Sequence, residues 1–287
     1  MADQIAPDFG EARRRLARAT IHRNEMADLH RTSIDRYGLQ LETRSVGTEA
    51  QVVIRYTSDP FLGTIFGEWL GSIRAVLDHA FYQLAIHETS KDPPTRKGDR
   101  QFPICRDEAS FDALLLSKGA RPLHGFSDEM ITAIRTMQPF NGKYGPDGDA
   151  LLWIHDLARQ DRHRVPWEMG ALITELQVRV AESEGHRVVH AEALDRSGTP
   201  AVAFPDDDLI VAWYRCRTEV DAMYLANGNI EVGAKSELEL RDWYKDAHAR
   251  GVSQNIRNDP LGQRMAFVEH FLGLTLDSFE KLTRTVR

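Results

Sequence analysis

The chain has 287 residues, of which 42% are hydrophobic and 28% charged, values typical of a globular protein. Its formal net charge of -7 argues against a protein that binds polyanions unselectively through a strong positive field. The two cysteines, Cys105 and Cys216, lack metal-ligand spacing and are too few for a disulfide scaffold. No apolar run reaches membrane-spanning length and no signal-peptide segment is visible, so we expect a cytoplasmic protein without a membrane partner.

The N-terminal part predicts a helix over about 8–36, followed by two antiparallel strands over about 38–57. Polar residues interrupt the apolar stripe of this helix, and at Gly38 the period of the apolar residues changes from helical to alternating. The stripe consists of Leu16, Ala19, Arg23, Met26 and His30.

Residues 61–88 predict a long helix that is apolar on nearly every side. Asp59 and Pro60 are typical of a helix start. A helix that is apolar all round usually lies at the centre of a fold, so we expect this one to be buried. The polar residues within it then need partners or a chemical role.

Two short helices with Asp107 and Ser127 as N-caps are predicted next, and then a helix over 149–165 that ends before Pro166. Asp161 falls on the apolar stripe of that last helix. A buried carboxylate is costly unless it is paired, so we expect a partner such as Arg74, His79 or Arg23.

From about 171 to 233 the pattern alternates, which indicates a run of antiparallel strands that extends as far as Val220 and resumes near Asn229. Helices are predicted again over 236–285, and the last of them, after Pro260, has an apolar stripe at helical spacing that runs from Leu261 to Leu282. The chain therefore predicts one α+β domain, 1–287, in which a helical bundle (8–36, 61–166 and 236–285) carries an antiparallel sheet on its flank.

Arg74, Asp78 and His79 are the leading candidates for a catalytic site. In RNA cleavage His79 would act as general acid or base, and Arg74 would stabilise charge on the phosphate, without a metal or other cofactor. Arg74 and His79 lie about 140 degrees apart on a helical wheel, so they would have to meet in a pocket between helices or at a dimer interface.

A structural interpretation competes with the catalytic one. Arg74 and Asp78 have the spacing of an ion pair within a helix, and His79 would be a partly buried histidine. Other Arg–His pairs with similar spacing, such as Arg264 and His270, occur in the chain. The spacing alone therefore does not identify a catalytic pair.

Residues 155–164 contain a second group of candidates, with Asp161, His163 and Arg164 as supporting residues. His163 and Arg164 would also suit the last turn of a helix, where cations complement the helix dipole. His155 and Asp156 resemble the dipeptide of metal-dependent HD phosphohydrolases, in which case His79, His155 and Asp156 would bind the metal.

Arg23 and His30 form a third pair on the stripe that should face the core. They are supporting candidates for the same site. The alternative is a polar network between helices.

The segments GEWLGSIRAVLDHAFYQLA, QFPI, MQPF and LLWIHDLARQDRHR together resemble a family of uncharacterised bacterial proteins with Arg-x3-Asp-His and Asp-basic-His-Arg helices. This resemblance covers about residues 61–166 and implies no activity. More distantly, Arg74 with His79 resembles the Arg-x4-6-His motif of HEPN ribonucleases, which implies a helical, dimeric, metal-independent enzyme related to toxin or defence systems. Ala75 departs from that motif, because a polar residue usually follows its arginine.

Three functional hypotheses follow. The first is a HEPN-like endoribonuclease that acts as a homodimer, binds RNA at a local site and needs no cofactor. The second is a non-enzymatic binding or scaffold protein in which the same polar residues form a buried network. The third is a metal-dependent phosphohydrolase.

Overall fold

A computed structural model describes the greater part of the chain, and the fold is given for that part. No helix among these residues is both long and apolar enough to cross a lipid bilayer. The described residues are 5–37, 39–94, 101–116, 123, 125–161, 167–182, 185–190, 200–250, 252 and 259–285.

The central helix, α2 (Pro60–Thr89), is buried on most of its surface, as its composition predicts. It begins where expected, because the Asp59 carboxylate accepts a hydrogen bond from the Phe61 N–H at 2.9 Å. Three other helices pack against it. They are α1 (Gly10–Tyr37), α5 (Ala150–Asp161) and α8 (Leu261–Thr285).

Two short helices, α3 (Glu108–Leu116) and α4 (Asp128–Thr136), lie between α2 and α5 in the chain. The predicted caps are both present. Asp107 accepts a hydrogen bond from the Ser110 N–H at 2.8 Å, and Ser127 accepts one from the Met130 N–H at 3.4 Å. Because α3 and α4 contribute Phe111 and Met130 to the helical core, they close one side of the bundle.

The apolar stripe predicted for the last helix is confirmed in α8. Its leucine, methionine, valine and phenylalanine residues repeat at helical spacing and are almost fully buried against α1 and α2. The buried members are Leu261, Met265, Val268, Leu272, Leu276 and Phe279, and Leu282 is partly buried.

The strands form two antiparallel sheets that share a second apolar core. One sheet has the order β1-β2-β6, and in the other β3 pairs with β4, β5 and β7. The α+β class is thus confirmed, but the late strands do not all form one sheet, because β6 pairs with the early hairpin. The strands are β1 (Leu39–Val46), β2 (Glu49–Tyr56), β3 (Met169–Glu182), β4 (Gly185–His190), β5 (Val202–Ala203), β6 (Leu209–Arg215) and β7 (Ile230–Leu240).

Two element boundaries predicted from the sequence are wrong. Residues 219–226 form a helix, α6 (Glu219–Ala226), because Thr218 and Asp221 make a reciprocal capping box. The last strand, β7, continues to Leu240, so the following helix, α7 (Arg241–Ala249), begins later than the predicted 236. Pairing along β3 prevails there over the helical propensity of glutamate and leucine. The predicted strand residues 191–194 lie outside the described residues.

Candidate functional site

Arg74 and Asp78 connect α2 to the neighbouring segment 101–105. The Arg74 guanidinium, which is buried, donates from Nη2 to the Asp78 carboxylate at 2.9 Å and to the Phe102 carbonyl at 2.8 Å. The Phe102 N–H in turn donates to the same Asp78 oxygen at 2.9 Å. These three contacts form a closed ring that satisfies both main-chain groups of Phe102.

Gln138 fixes the other end of the same segment. Its side-chain oxygen accepts from the Cys105 N–H at 2.8 Å, and its Nε2 donates to the carbonyls of Pro103 and Ile134, each at 3.1 Å. The buried Gln138 thus holds the Phe-Pro-Ile segment against the end of α4. The Arg, Asp, Phe-Pro-Ile and Gln-Pro elements noted in the sequence are therefore parts of one structural network.

His79 is partly buried beside Asp78, the ion-pair partner of Arg74. It lines an open groove of about 520 Å³ together with Ala75, Asp78 and Tyr82. The Tyr82 hydroxyl donates to Asp92 at 3.4 Å. Arg74 is not among the groove-lining residues, so the predicted general acid or base is accessible while the predicted phosphate ligand is engaged elsewhere.

Asp161 is partly buried at the end of α5, but its carboxylate accepts a hydrogen bond from Trp167 Nε1 at 2.8 Å. It lies against Gly67 of α2, where a Cβ atom would come within 2.9 Å of its oxygen. Gly67 precedes Arg74 by about 10 Å along the helix axis. The structure therefore separates Asp161 from Arg74 and Asp78. The other two supporting candidates, His163 and Arg164, lie outside the described residues.

Arg23 belongs to a third network, centred on the buried carboxylate of Glu269 in α8. Its Nε contacts both Glu269 oxygens at 3.1 Å. The same carboxylate accepts from Trp69 Nε1 at 3.0 Å and from the Thr20 hydroxyl at 2.9 Å. Arg23 therefore links α1 to α8, and a pairing of Arg23 with Asp161 is wrong.

His155 and Asp156 are both partly exposed on α5. The Asp156 carboxylate lies 3.6 Å from the Arg250 guanidinium, with which it forms an ion pair. Within the part of the chain that the structure describes, no three His, Cys, Asp or Glu side chains are grouped so that they could hold a metal ion.

His30 is buried where α1 meets the strands. Its ring lies edge-on to Tyr56, with 6.3 Å between the ring centroids. Neither ring nitrogen makes a hydrogen bond of normal geometry with a described residue. Burial lowers the pKa of His30 to about 4, and the nearby main chain of Ser236 acts in the opposite direction.

An aromatic cavity that sequence reasoning missed lies between α5, α7, α8 and the loop that precedes α5. Its volume is about 380 Å³. Trp153 and Trp243 form its inner wall, with 6.4 Å between their ring centroids and nearly perpendicular planes. Tyr144 and Phe267 are at least half exposed and lie at its mouth.

Arg264 crosses the back of this aromatic cavity. Its guanidinium stacks on Trp243, 3.9 Å from the ring centroid, and pairs with the fully buried carboxylate of Glu239. Nη1 also donates to the Asp259 carbonyl at 2.6 Å. Burial raises the pKa of Glu239, while Arg264 acts in the opposite direction. We expect the pair to be ionised, since the carboxylate is doubly contacted by the guanidinium and accepts the Leu240 N–H.

The signals for the aromatic cavity in the sequence are scattered over more than 120 positions. Trp153 and Trp243 have no motif in common, and Arg264 lies on the largely apolar buried face of α8. A buried arginine on an apolar stripe is a signal of the same kind as Asp161. The sequence does not identify the partner of Arg264, because Glu239 lies on β7 and meets the guanidinium only in the folded chain.

Comparison with protein-family models, with curated proteins and with solved structures finds no match to this chain.

Proposed function

We propose that the chain is a non-enzymatic binding protein and that the aromatic cavity takes a planar, uncharged ring carrying a carbonyl group. One observation carries the proposal. Trp153 Nε1 and Arg264 Nε are both buried N–H groups of residues that line the cavity, and neither has a hydrogen-bond acceptor among the described residues. Buried donors of this kind are nearly always paired in native proteins, so a ligand acceptor is the partner they lack.

The charges around the aromatic cavity favour an uncharged ligand. Asp147, Asp149 and Asp259 line it, and their carboxylates oppose an anion. Arg264 opposes a cation, because it already occupies the face of Trp243 where an organic cation would stack. Asp147 is itself neutralised by Arg106 and by a second arginine.

The rings determine the shape of the ligand. Trp153 and Trp243 offer apolar walls, and Phe267 and Tyr144 expose apolar surface at the mouth. Flat rings gain both buried apolar area and favourable ring contacts against such walls. The volume of about 380 Å³ is at the small end of ordinary ligand sites.

In this proposal Arg74 and Asp78 have a structural role. The guanidinium bonds the Phe102 carbonyl and the Asp78 carboxylate, and removing it would take a buried donor from the carbonyl and the positive partner from the carboxylate. We therefore expect Arg74→Ala to lower the melting temperature by several degrees.

Tryptophan fluorescence titration with uracil and hypoxanthine tests the binding proposal. Both probes are planar, uncharged and rich in carbonyl acceptors. Saturable quenching is expected, and Trp153→Phe should weaken it about tenfold, because phenylalanine keeps the ring but removes the N–H donor. Trp213→Phe is the matched control, since Trp213 is exposed on β6. No saturation, or equal affinity in Trp153→Phe, would overturn the proposal.

A metal-independent ribonuclease is a second candidate, which the open groove around His79 favours. Asp78 and Tyr82 line the same groove and supply a carboxylate and a hydroxyl beside the imidazole. Such an enzyme would act as a cytoplasmic homodimer on RNA. Cleavage of varied RNAs in EDTA, lost in His79→Ala and retained in a variant of the exposed His270, would support it. Equal cleavage by His79→Ala, or none by any protein, would exclude it.

A further inference from the structure

Four buried polar atoms that lack a hydrogen bond of normal geometry with a described residue lie in and around His30. They are both ring nitrogens of His30, the Tyr56 hydroxyl and the Ser236 hydroxyl. Among the described residues, the Ser236 main chain lies near the imidazole and the Ser58 side chain near the Tyr56 hydroxyl, but neither contact has the geometry of a normal hydrogen bond. An unsatisfied buried polar group costs about 1–3 kcal/mol. Such a concentration in one place therefore indicates a missing partner.

Three elements bring these groups together. His30 lies on α1, Tyr56 on β2 and Ser236 on β7, and the rings of His30 and Tyr56 are in edge contact. His30 is only 7% exposed and Tyr56 4%. The positions are therefore set by packing of the helical bundle against both sheets.

His30 and Ser236 line a cleft of about 580 Å³ between α1, β7 and the start of α8. Its walls are apolar and include the buried Met26, Leu261 and Met265. Methionine side chains adapt to ligands of different shape. The cleft thus joins an apolar wall to a small group of neutral polar atoms.

Charges at the mouth of the His30 cleft do not select a charged ligand. Arg23 is neutralised by Glu269, and Arg31 by Asp28 at 2.6 Å. Glu237 is exposed at the rim. His30 itself is neutral near pH 7 because its buried ring is hard to protonate. A neutral imidazole has one donor and one acceptor, which matches a group that can both donate and accept.

We propose that the His30 cleft is a binding site for a small uncharged molecule with an apolar body and a hydroxyl group, of the phenol type. The hydroxyl would contact His30 and Ser236, and the ring would lie against Met26, Leu261 and Met265. This site is distinct from the aromatic cavity, and the proposal does not depend on the proposed function.

Phenol and benzene are the probes, and the signal is the ¹³Cε1–¹H resonance of His30 in protein labelled at histidine. The resonance is identified by its loss in His30→Phe. Phenol is expected to shift it saturably, and benzene, which lacks the hydroxyl, to bind at least fivefold more weakly. Equal binding of benzene and phenol would overturn the role of the polar atoms.

Ser236→Ala supplies the protein side of the same test. It should weaken phenol binding about fivefold, whereas Ser278→Ala should leave it unchanged, because the Ser278 hydroxyl is exposed and bonds within α8. Absence of a saturable shift up to millimolar phenol would overturn the proposal and indicate that water satisfies these groups. Uracil and Trp153→Phe should not affect the His30 signal, so failure at either site is distinguishable from failure at the other.

Discussion

Acidification should destabilise the protein through His30. Burial lowers the pKa of His30 from 6.5 to about 4 in the folded state. Between these values the unfolded state binds the proton and the folded state does not, so the free energy of unfolding falls as the pH drops through this window. Stability should be unaffected by His30 above pH 6.5 and should stop falling near pH 4.

The magnitude follows from the width of the window. The unfolded and folded pKa values of His30 differ by about 2.5, and each unit corresponds to about 1.36 kcal/mol. The free energy of unfolding should therefore fall by at most about 3 kcal/mol through this group. The charged groups that line the same cleft are Arg23, Arg31 and Glu237. Both arginines are paired, Arg23 with Glu269 and Arg31 with Asp28, so burial is the main cause of the lowered pKa of His30. Tyr56 is uncharged here, because burial raises its pKa to about 12.

The assay is urea unfolding of the wild type and of His30→Phe at pH values from 8 to 4. Other carboxylates titrate in both proteins, so the difference between the two curves isolates His30. The wild type should lose about 3 kcal/mol more than the variant between pH 7 and pH 4. His270→Phe, which alters an exposed histidine, should follow the wild type. If the wild-type and His30→Phe curves run parallel, the His30 ring is solvated and the reasoning is wrong.

Three further perturbations test other parts of the fold. Gly63→Ala should lower the free energy of unfolding, measured with urea, by several kcal/mol, because its Cβ would come within 2.2 Å of a main-chain oxygen. Gly71→Ala in the same helix has open space around the new Cβ and should leave that free energy unchanged or raise it by up to about 1 kcal/mol. Glu239→Gln should lower stability by about 3 kcal/mol, because it leaves a buried guanidinium without its counter-charge; a loss below about 1 kcal/mol would contradict the buried pair. Burial raises the pKa of the Cys105 thiol to about 11, so a thiol reagent near pH 8 should label Cys216 first and Cys105 only on unfolding.

The local spacing of apolar residues was sufficient to predict much of the helical part of the fold. The all-round apolar composition of 61–88 predicts a central helix, and α2 is one, because burial on every side is what such a surface requires. The stripe after Pro260 predicts α8 for the same reason. These patterns depend only on residues three or four positions apart, and the apolar faces that they predict are buried in the core.

The predicted ends of the strands differ from the observed ends in two places. The strand predicted as far as Val220 ends at Arg215, because a capping box starts α6 at Glu219, and ELEL joins β7 although its residues favour helix. Pairing with β3 and β2 decides both the extent of the strands and their division into two sheets. Such pairing depends on residues far apart in sequence, which periodicity does not report.

The sequence by itself determined which side chains needed an explanation. These polar residues lie on the apolar surfaces of helices, and each is fully or partly buried: Arg74, Asp78, Asp161, Arg23 and His30. Only the tertiary structure decided their partners, and it assigned them to separate networks. Arg74 and Asp78 hold Phe102, Asp161 holds Trp167, and Arg23 binds Glu269. The physical reason is that a burial penalty can be read from the pattern of one helix, whereas the group that offsets it comes from another part of the chain.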